Sequence, residues 1–188
     1  MSVEPSAAAV QIVSVIWFLL PAGIGNMAPV FAARLLPAWD CPVDFALTLR
    51  GRRLFGSHKT WRGIAAGLVA ATAAFLAQQS LCAQYDWART FSWVDYASQP
   101  WWLGTAMGGA ALGGDLLKSL AKRQVGVAPG RPWPPFDQID WLLGLSVLAA
   151  LMSLLRLDRL LLLLAVGTIL HLASKVVGHW IRLHREWI

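Results

Sequence analysis

The sequence predicts an all-α integral membrane protein of about five transmembrane helices, on three observations. Of its 188 residues, 57% are hydrophobic and only 14% carry a charge, with a mean hydropathy of +0.54, whereas soluble domains are about a quarter charged. The charges are also clustered, and between the clusters lie five apolar runs near the ~20 residues a helix needs to cross a bilayer. Finally, the basic residues are concentrated in alternate connections between those runs. Five crossings exclude a large soluble catalytic domain, so residues 1–188 read as a single membrane-embedded domain.

The first crossing is placed at about 7–33, within a stretch from Pro5 to Ala33 that has no charge. Pro21, Gly23, Gly25 and Pro29 predict a break or kink in its second half. The second runs over 63–85 and stops at Asp86. The third, 97–114, is rich in Gly and Ala, which suits close helix contacts. The fourth, 139–155, is short, and the turn Arg156, Leu157, Asp158, Arg159 leads to the fifth at 160–178. Cys41 and Cys82 lack Cys or His partners at zinc spacing and read as small apolar residues. Glu4, with no Lys or Arg before the first apolar run, does not match the basic flank of a cleavable signal, so this segment is expected to stay in the mature protein. No internal repeat of fixed period is present, which argues against an inverted-repeat transporter.

Charge asymmetry orients the bundle. Thirteen of the 16 Lys and Arg fall in the segments 34–62 and 115–140 and from Lys175 onward; only Arg89, Arg156 and Arg159 fall in the other connections. The positive-inside rule then puts the N-terminus outside and the two long polar loops and the C-terminus in the cytoplasm. Tryptophans agree: Trp39, Trp61, Trp133, Trp141, Trp180 and Trp187 fall near the inner interface and Trp87, Trp93, Trp101 and Trp102 near the outer one, where indole prefers to sit.

Candidate chemistry lies in the two cytoplasmic loops. Asp115 ends the third apolar run, and Lys118 and Lys122 follow at helical spacing, with Ser119 and Arg123 beside them. Asp137 and Asp140, three residues apart, share a helix face where the fourth crossing begins. Taken alone, that pair is equally well explained by helix capping and the helix dipole. Asp115, brought to the same membrane face from another helix, favours a site for a magnesium ion (Mg2+), which takes hard oxygen ligands and commonly completes its shell with substrate phosphate. The first loop adds the run from Gly51 to Gly63. Its Lys59, Thr60 and Arg62 suit phosphate oxygens, while Arg34, Arg50 and Arg52 read as topology-setting charges that meet anionic headgroups. The run is not a Walker loop, since Gly51 and Gly56 do not precede a Lys-Ser or Lys-Thr pair at the required spacing.

These motifs together resemble the CDP-archaeol synthase family, related to the CDP-diacylglycerol synthases. The resemblance is carried by Gly56, Ser57, His58, Lys59, Thr60, Trp61, Arg62 and Gly63; by Gly114, Asp115, Leu116, Leu117, Lys118 and Ser119 with Lys122 and Arg123; and by Asp137, Gln138, Ile139 and Asp140 with Gly144. Pro21, Asn26 and Pro29, then Pro42, Val43 and Asp44, extend it, so that it covers about Pro21 to His179. His171, followed by Ala173 and Ser174 with no Asn, and His58, in place of a small residue, depart from the family pattern.

The resemblance implies a CTP-dependent nucleotidyltransferase that converts a membrane lipid phosphate, of archaeol ether type or a related precursor, to a CDP-activated lipid and pyrophosphate. Asp115, Asp137 and Asp140 would bind Mg2+; Lys118, Lys122 and Arg123 would be catalytic, offsetting charge repulsion as the lipid phosphate attacks; Lys59, Thr60, Arg62 and Ser119 would bind substrate. Because CTP is cytoplasmic and the acceptor's tails stay in the bilayer, the site is expected at the cytoplasmic face of the cell (inner) membrane. No nucleic-acid partner is expected, and a homodimer is left open. Two alternatives stand beside this: a phosphatidate cytidylyltransferase acting on diacylglycerol phosphate, and a non-enzymatic transporter or scaffold. Against transport, the first four crossings have no ionisable residue at depth.

Overall fold

The computed structural model describes residues 6–128 and 131–180; the predicted inner-interface charges Arg182 and Arg185 and the tryptophan Trp187 lie outside them. Its helices are α1 (Ala7–Leu35), α2 (Trp61–Gln84), the short α3 (Asp86–Thr90), α4 (Trp102–Gln124), α5 (Phe136–Leu151) and α6 (Leu157–Trp180). The five long ones coincide with the five apolar runs, with shifted ends. Residues 96–101 form a 3-10 turn (Tyr96–Ser98) and a loop containing Pro100, so the third long helix starts late, at Trp102; it then continues ten residues past Gly114, to Gln124.

Three helices, α1, α2 and the Leu157–Gly178 part of α6, are long and apolar enough to cross a membrane by length and composition. α4 and α5 differ from them for physical reasons: α4 carries Asp115, Lys118, Lys122 and Arg123 in its second half, and α5 has only 16 residues. Of the predicted break or kink in the first helix, the break is absent. α1 runs through Pro21 and Pro29 as one helix of 29 residues, as helices packed against neighbours can when the freed backbone groups are otherwise accommodated.

The connection between α1 and α2 is more ordered than a loop drawn from charge alone. It holds a two-residue antiparallel hairpin, β1 (Thr48–Leu49) with β2 (Arg52–Arg53), pairing Thr48 with Arg53 and Leu49 with Arg52. The turn residues Arg50 and Gly51 both have positive φ, 54° and 76°, the requirement of a tight two-residue hairpin turn.

α1 packs against α2, α2 against α4, and α4 against α5, with α6 closing the bundle against α5 and α1. Val15, Phe18 and Leu19 of α1, Phe75 of α2, Met107 of α4, Leu142 and Leu145 of α5 and Leu163 of α6 form the buried core. The α4–α5 crossing positions the site. Gly114 lies against the backbone of Asp140, and Gly144 against the backbone of Ala110, so closely that a Cβ at either position would collide with a carbonyl. Small residues thus let two backbones meet, which places Asp115 beside Asp140.

Candidate active site

The end of the bundle formed by the C-terminal part of α4, the start of α5 and the approach to α2 gathers three carboxylates and three lysines. Lys118 is at their centre. Its Nζ lies 2.7 Å from Asp140 Oδ2, 3.1 Å from Asp137 Oδ1 and 3.3 Å from Asp115 Oδ1. Lys122 donates to both oxygens of Asp137, at 3.2 and 3.1 Å, and Lys59 reaches in from the first loop to donate to Asp115 Oδ2. The cluster therefore joins three chain segments, its acids coming from α4 and α5 and Lys59 from the first loop.

Two of the three acids are held by backbone groups as well. Asp137 Oδ2 accepts from the Trp133 backbone N–H at 2.5 Å, and Asp140 Oδ1 from the N–H of Trp141 at 2.7 Å. Burial raises the pKa of Asp137, which precedes the apolar part of α5, but the Trp133 N–H and the ammoniums of Lys118 and Lys122 outweigh it and hold the carboxyl at about 2. Asp137 is ionised throughout the neutral range.

Carboxylates from two helices converging on one point have the donor chemistry for a hard divalent cation. The Lys118 ammonium holds them apart at that point, and among the described residues no group of three or more His, Cys, Asp and Glu stands close enough to hold a metal as it is. The set therefore fits a divalent ion only if the Lys118 ammonium moves from the focus.

The other predicted residues are placed differently. Ser119 is buried, one position after Lys118. Arg123 turns from the acids and donates to the carbonyl of Ala128 at 3.3 Å. Thr60 caps α2: its Oγ1 accepts from the Gly63 N–H at 3.2 Å. Arg62 is buried against the end of α1, donating to the carbonyl of Leu36 at 2.7 Å and to Asp40 Oδ1 at 3.2 Å. For Thr60 and Arg62, local backbone groups left bare at a helix start and a helix end take the polar atoms expected to face phosphate.

Lys59 owes its position to a residue absent from the predicted site, Asp44. Within the first loop, Asp44 is 2% exposed and accepts from Arg53 Nη2 at 2.5 Å and from the backbone N–H groups of Ala46, Phe55 and Gly56, each at 3.1 Å. Burial raises its pKa, but the Arg53 guanidinium and the three N–H groups lower it further, to about 2. With the loop gathered on this carboxylate, Val43 N–H donates to Lys59 O at 2.8 Å and Trp61 N–H to Cys41 O at 2.9 Å, which presents Lys59 to Asp115. The signal available in the sequence was a lone acid between Pro42 and a run of bases.

Two apolar crevices flank the cluster. One, of about 320 Å3, lies between α4 and α5 and is lined by Leu117, Phe136, Leu143 and Val147, with Lys118 and Asp140 at its polar edge. The other, of about 220 Å3, lies between α1, α5 and α6 and includes Leu20, Trp141 and His171.

A model of the CarS-like CDP-archaeol synthase family matches residues 9–188. The chain belongs to that family. Among its relatives, the CDP-archaeol synthase of Methanoregula boonei is 31% identical over 175 residues, covering 89% of this chain and 99% of that protein. That of Pyrococcus furiosus is 32% identical over 169 residues, covering 89% and 93%. A solved structure, described as an intramembrane enzyme for archaeal membrane lipids biosynthesis, superimposes with a TM-score of 0.67 at 30% identity, covering 86% of this chain and 92% of the other. The acid and lysine cluster is thus carried by a chain of the CDP-archaeol synthase family that shares its fold with an intramembrane enzyme.

Proposed function

We propose that this chain is a CTP-dependent cytidylyltransferase that attaches a cytidylyl group to a membrane lipid phosphate and releases pyrophosphate. The observation that carries the reading is the position of Lys118 and Asp140, at once in a carboxylate and lysine cluster and on the rim of the apolar crevice between α4 and α5. A lipid phosphate needs that combination: polar groups for its head and an apolar groove for its chains.

In this reading the site lies at the cytoplasmic face of the cell membrane, with five crossings and the N-terminus outside. The thirteen-to-three distribution of Lys and Arg supports it, and so does the union of both basic loops at one end of the bundle through the Lys59 and Asp115 pair.

The lipid phosphate is the nucleophile: its oxygen forms a bond to the α-phosphorus of CTP, the bond to the bridging oxygen breaks, and pyrophosphate leaves with those electrons. An ionised phosphate needs no strong general base, so the barrier is chiefly repulsion between anions. Lys59, Lys118 and Lys122 answer it, exchanging carboxylate for phosphate oxygens as the triphosphate enters. Asp115, Asp137 and Asp140 would hold Mg2+, which when bound supplies charge neutralisation and polarisation of the phosphoryl group. The Trp133 and Trp141 N–H groups keep Asp137 and Asp140 oriented through this exchange, and the crevice walls keep the acceptor's chains out of water.

Purified protein in detergent, given CTP, Mg2+ and either an ether-linked archaeol-type phosphate or phosphatidic acid, tests the proposal. Pyrophosphate release that requires both metal and lipid is expected, and the better acceptor identifies the lipid class. Absence of release with both lipids would overturn it.

A further inference from the structure

The loop between α1 and α2 is built inside out for a segment in water. Its interior is the Asp44 carboxylate with its four donors, and its apolar side chains face outward: Phe45 is 64% exposed, Leu47 60% and Leu49 47%. Leu47 and Leu49 are two residues apart on an extended segment and so share one face. Phe45 lies beside the exposed Trp61, with ring centroids 6.4 Å apart. Large apolar residues clustered on an exterior mark an interaction surface.

The roots of the loop say what that surface meets. It leaves α1 and enters α2, both long and apolar enough to span a bilayer, so its two ends emerge at one membrane face. Charge complements this. Arg53, Lys59 and Arg62 are paired with Asp44, Asp115 and Asp40, whereas Arg50, at the hairpin tip, is exposed, and Arg52 keeps its charge while donating to the carbonyl of Gln124 at 2.6 Å. Apolar and aromatic side chains beside uncompensated arginines match the boundary of acyl chains and anionic headgroups.

We propose that the β1–β2 hairpin docks on the surface of the membrane that α1 and α2 span, with Phe45, Leu47 and Leu49 entering the interface and Arg50 and Arg52 meeting anionic headgroups. The docked hairpin is tied to the reacting end of the molecule twice, by Arg52 on the last carbonyl of α4 and by Lys59 on Asp115. The lipid charge of the leaflet thus reaches the site through the loop. Such binding is separate from the chemistry, and depends on the two spans and the loop rather than on the cytidylyltransferase reading.

The test uses the full chain in bilayers, without substrate. A Cys41→Ser chain carrying Leu47→Cys is labelled with an environment-sensitive fluorophore; Cys82, 2% exposed, is shielded from the reagent. The chain is reconstituted in phosphatidylcholine alone or with phosphatidylglycerol. Docking predicts blue-shifted emission, quenching by nitroxide-bearing lipid and loss of quenching by aqueous iodide, all stronger with phosphatidylglycerol. Adding Arg50→Glu should return the phosphatidylglycerol sample to the phosphatidylcholine level. A label open to iodide in both bilayers overturns the proposal, as does one shielded from iodide and lipid quencher alike, which would mean that a second copy or another protein covers the face. Amide exchange over residues 45–53 of the unmodified chain provides a check free of mutation: slower exchange in the anionic bilayer is expected, and equal exchange in both counts against docking.

Discussion

Lys118 and Asp140 form a 2.7 Å ion pair between α4 and α5, and the same ammonium is within 3.3 Å of Asp137 and Asp115. One ammonium thus touches all three carboxylates that two helices force together, and Lys59 and Lys122 share in balancing them. The helices are fixed by Gly114 and Gly144, where no side chain fits, so the acids cannot separate without parting the helices. A cation at this focus is required by the packing.

Replacing Lys118 by Met should therefore reduce stability by about 3 kcal/mol, as expected when one partner of a buried charge group is lost. The carboxylates would then be free to take a divalent ion directly. Added Mg2+ should raise the unfolding temperature of Lys118→Met more than that of the unaltered chain, in a detergent thermal melt without nucleotide. An equal response to Mg2+ would argue that the acids do not form a cation site.

Lys59 and Arg62, three residues apart, should respond differently. Lys59 reaches Asp115, whereas Arg62 is buried against the end of α1. Lys59→Ala should lower kcat/KM for CTP by about 100-fold, the scale on which a preorganised charge donor acts, with little change in melting. Arg62→Ala should cost about 1–3 kcal/mol by removing a buried side chain and the donor it gives to the Leu36 carbonyl at the end of α1, while the molecules that remain folded keep most of their turnover. Circular dichroism melts and pyrophosphate release on the same samples separate the two outcomes.

What could be read from the sequence follows from how local the signals are. Five apolar runs and the Asp115, Asp137 and Asp140 set are visible because hydrophobic length and helical spacing are properties of single segments, and the structure brings those acids together. Thr60 and Arg62 looked like phosphate ligands because residue type was all there was to judge by; their partners, the Gly63 N–H and the Leu36 carbonyl, depend on where one helix starts and another ends. Asp44 was harder still. Its role needs four donors, from Ala46, Arg53, Phe55 and Gly56, brought round it by a hairpin whose turn at Arg50 requires a positive φ at a non-glycine residue, which no periodicity reveals.

Gly144→Ala probes the crossing that assembles the site. Its new methyl would meet the Ala110 carbonyl, and overpacking of this kind costs about 1–3 kcal/mol. Because the strain is relieved by parting α4 from α5, turnover should fall further than stability explains. Gly113→Ala is the control, since a Cβ there meets nothing within 4 Å; its melting point and activity should stay near those of the unaltered chain.

Asp44 gives a pH-dependent prediction with a definite sign. Its folded-state pKa is held at about 2, against 3.8 for an ordinary Asp, so the folded state favours the ionised form. The resulting stabilisation is complete above pH 3.8 and is lost as pH falls toward 2. A shift of this size corresponds to at most about 2 kcal/mol: the side chain is enclosed, but only by a thin loop whose Arg53 is partly exposed, so solvent screens part of it. Asp44→Asn removes the charge at every pH. Thermal melts at pH 6 should separate the two proteins by that amount, and the gap should narrow below pH 4 as the unaltered carboxyl takes up its proton. A gap unchanged between pH 6 and pH 2.5 would show that the ionised carboxylate is not what holds the loop. The loop orders Lys59, so the same substitution should also weaken CTP turnover at neutral pH, and Arg53→Lys, which keeps a charge beside Asp44 but loses the guanidinium fork, should give a smaller loss of both.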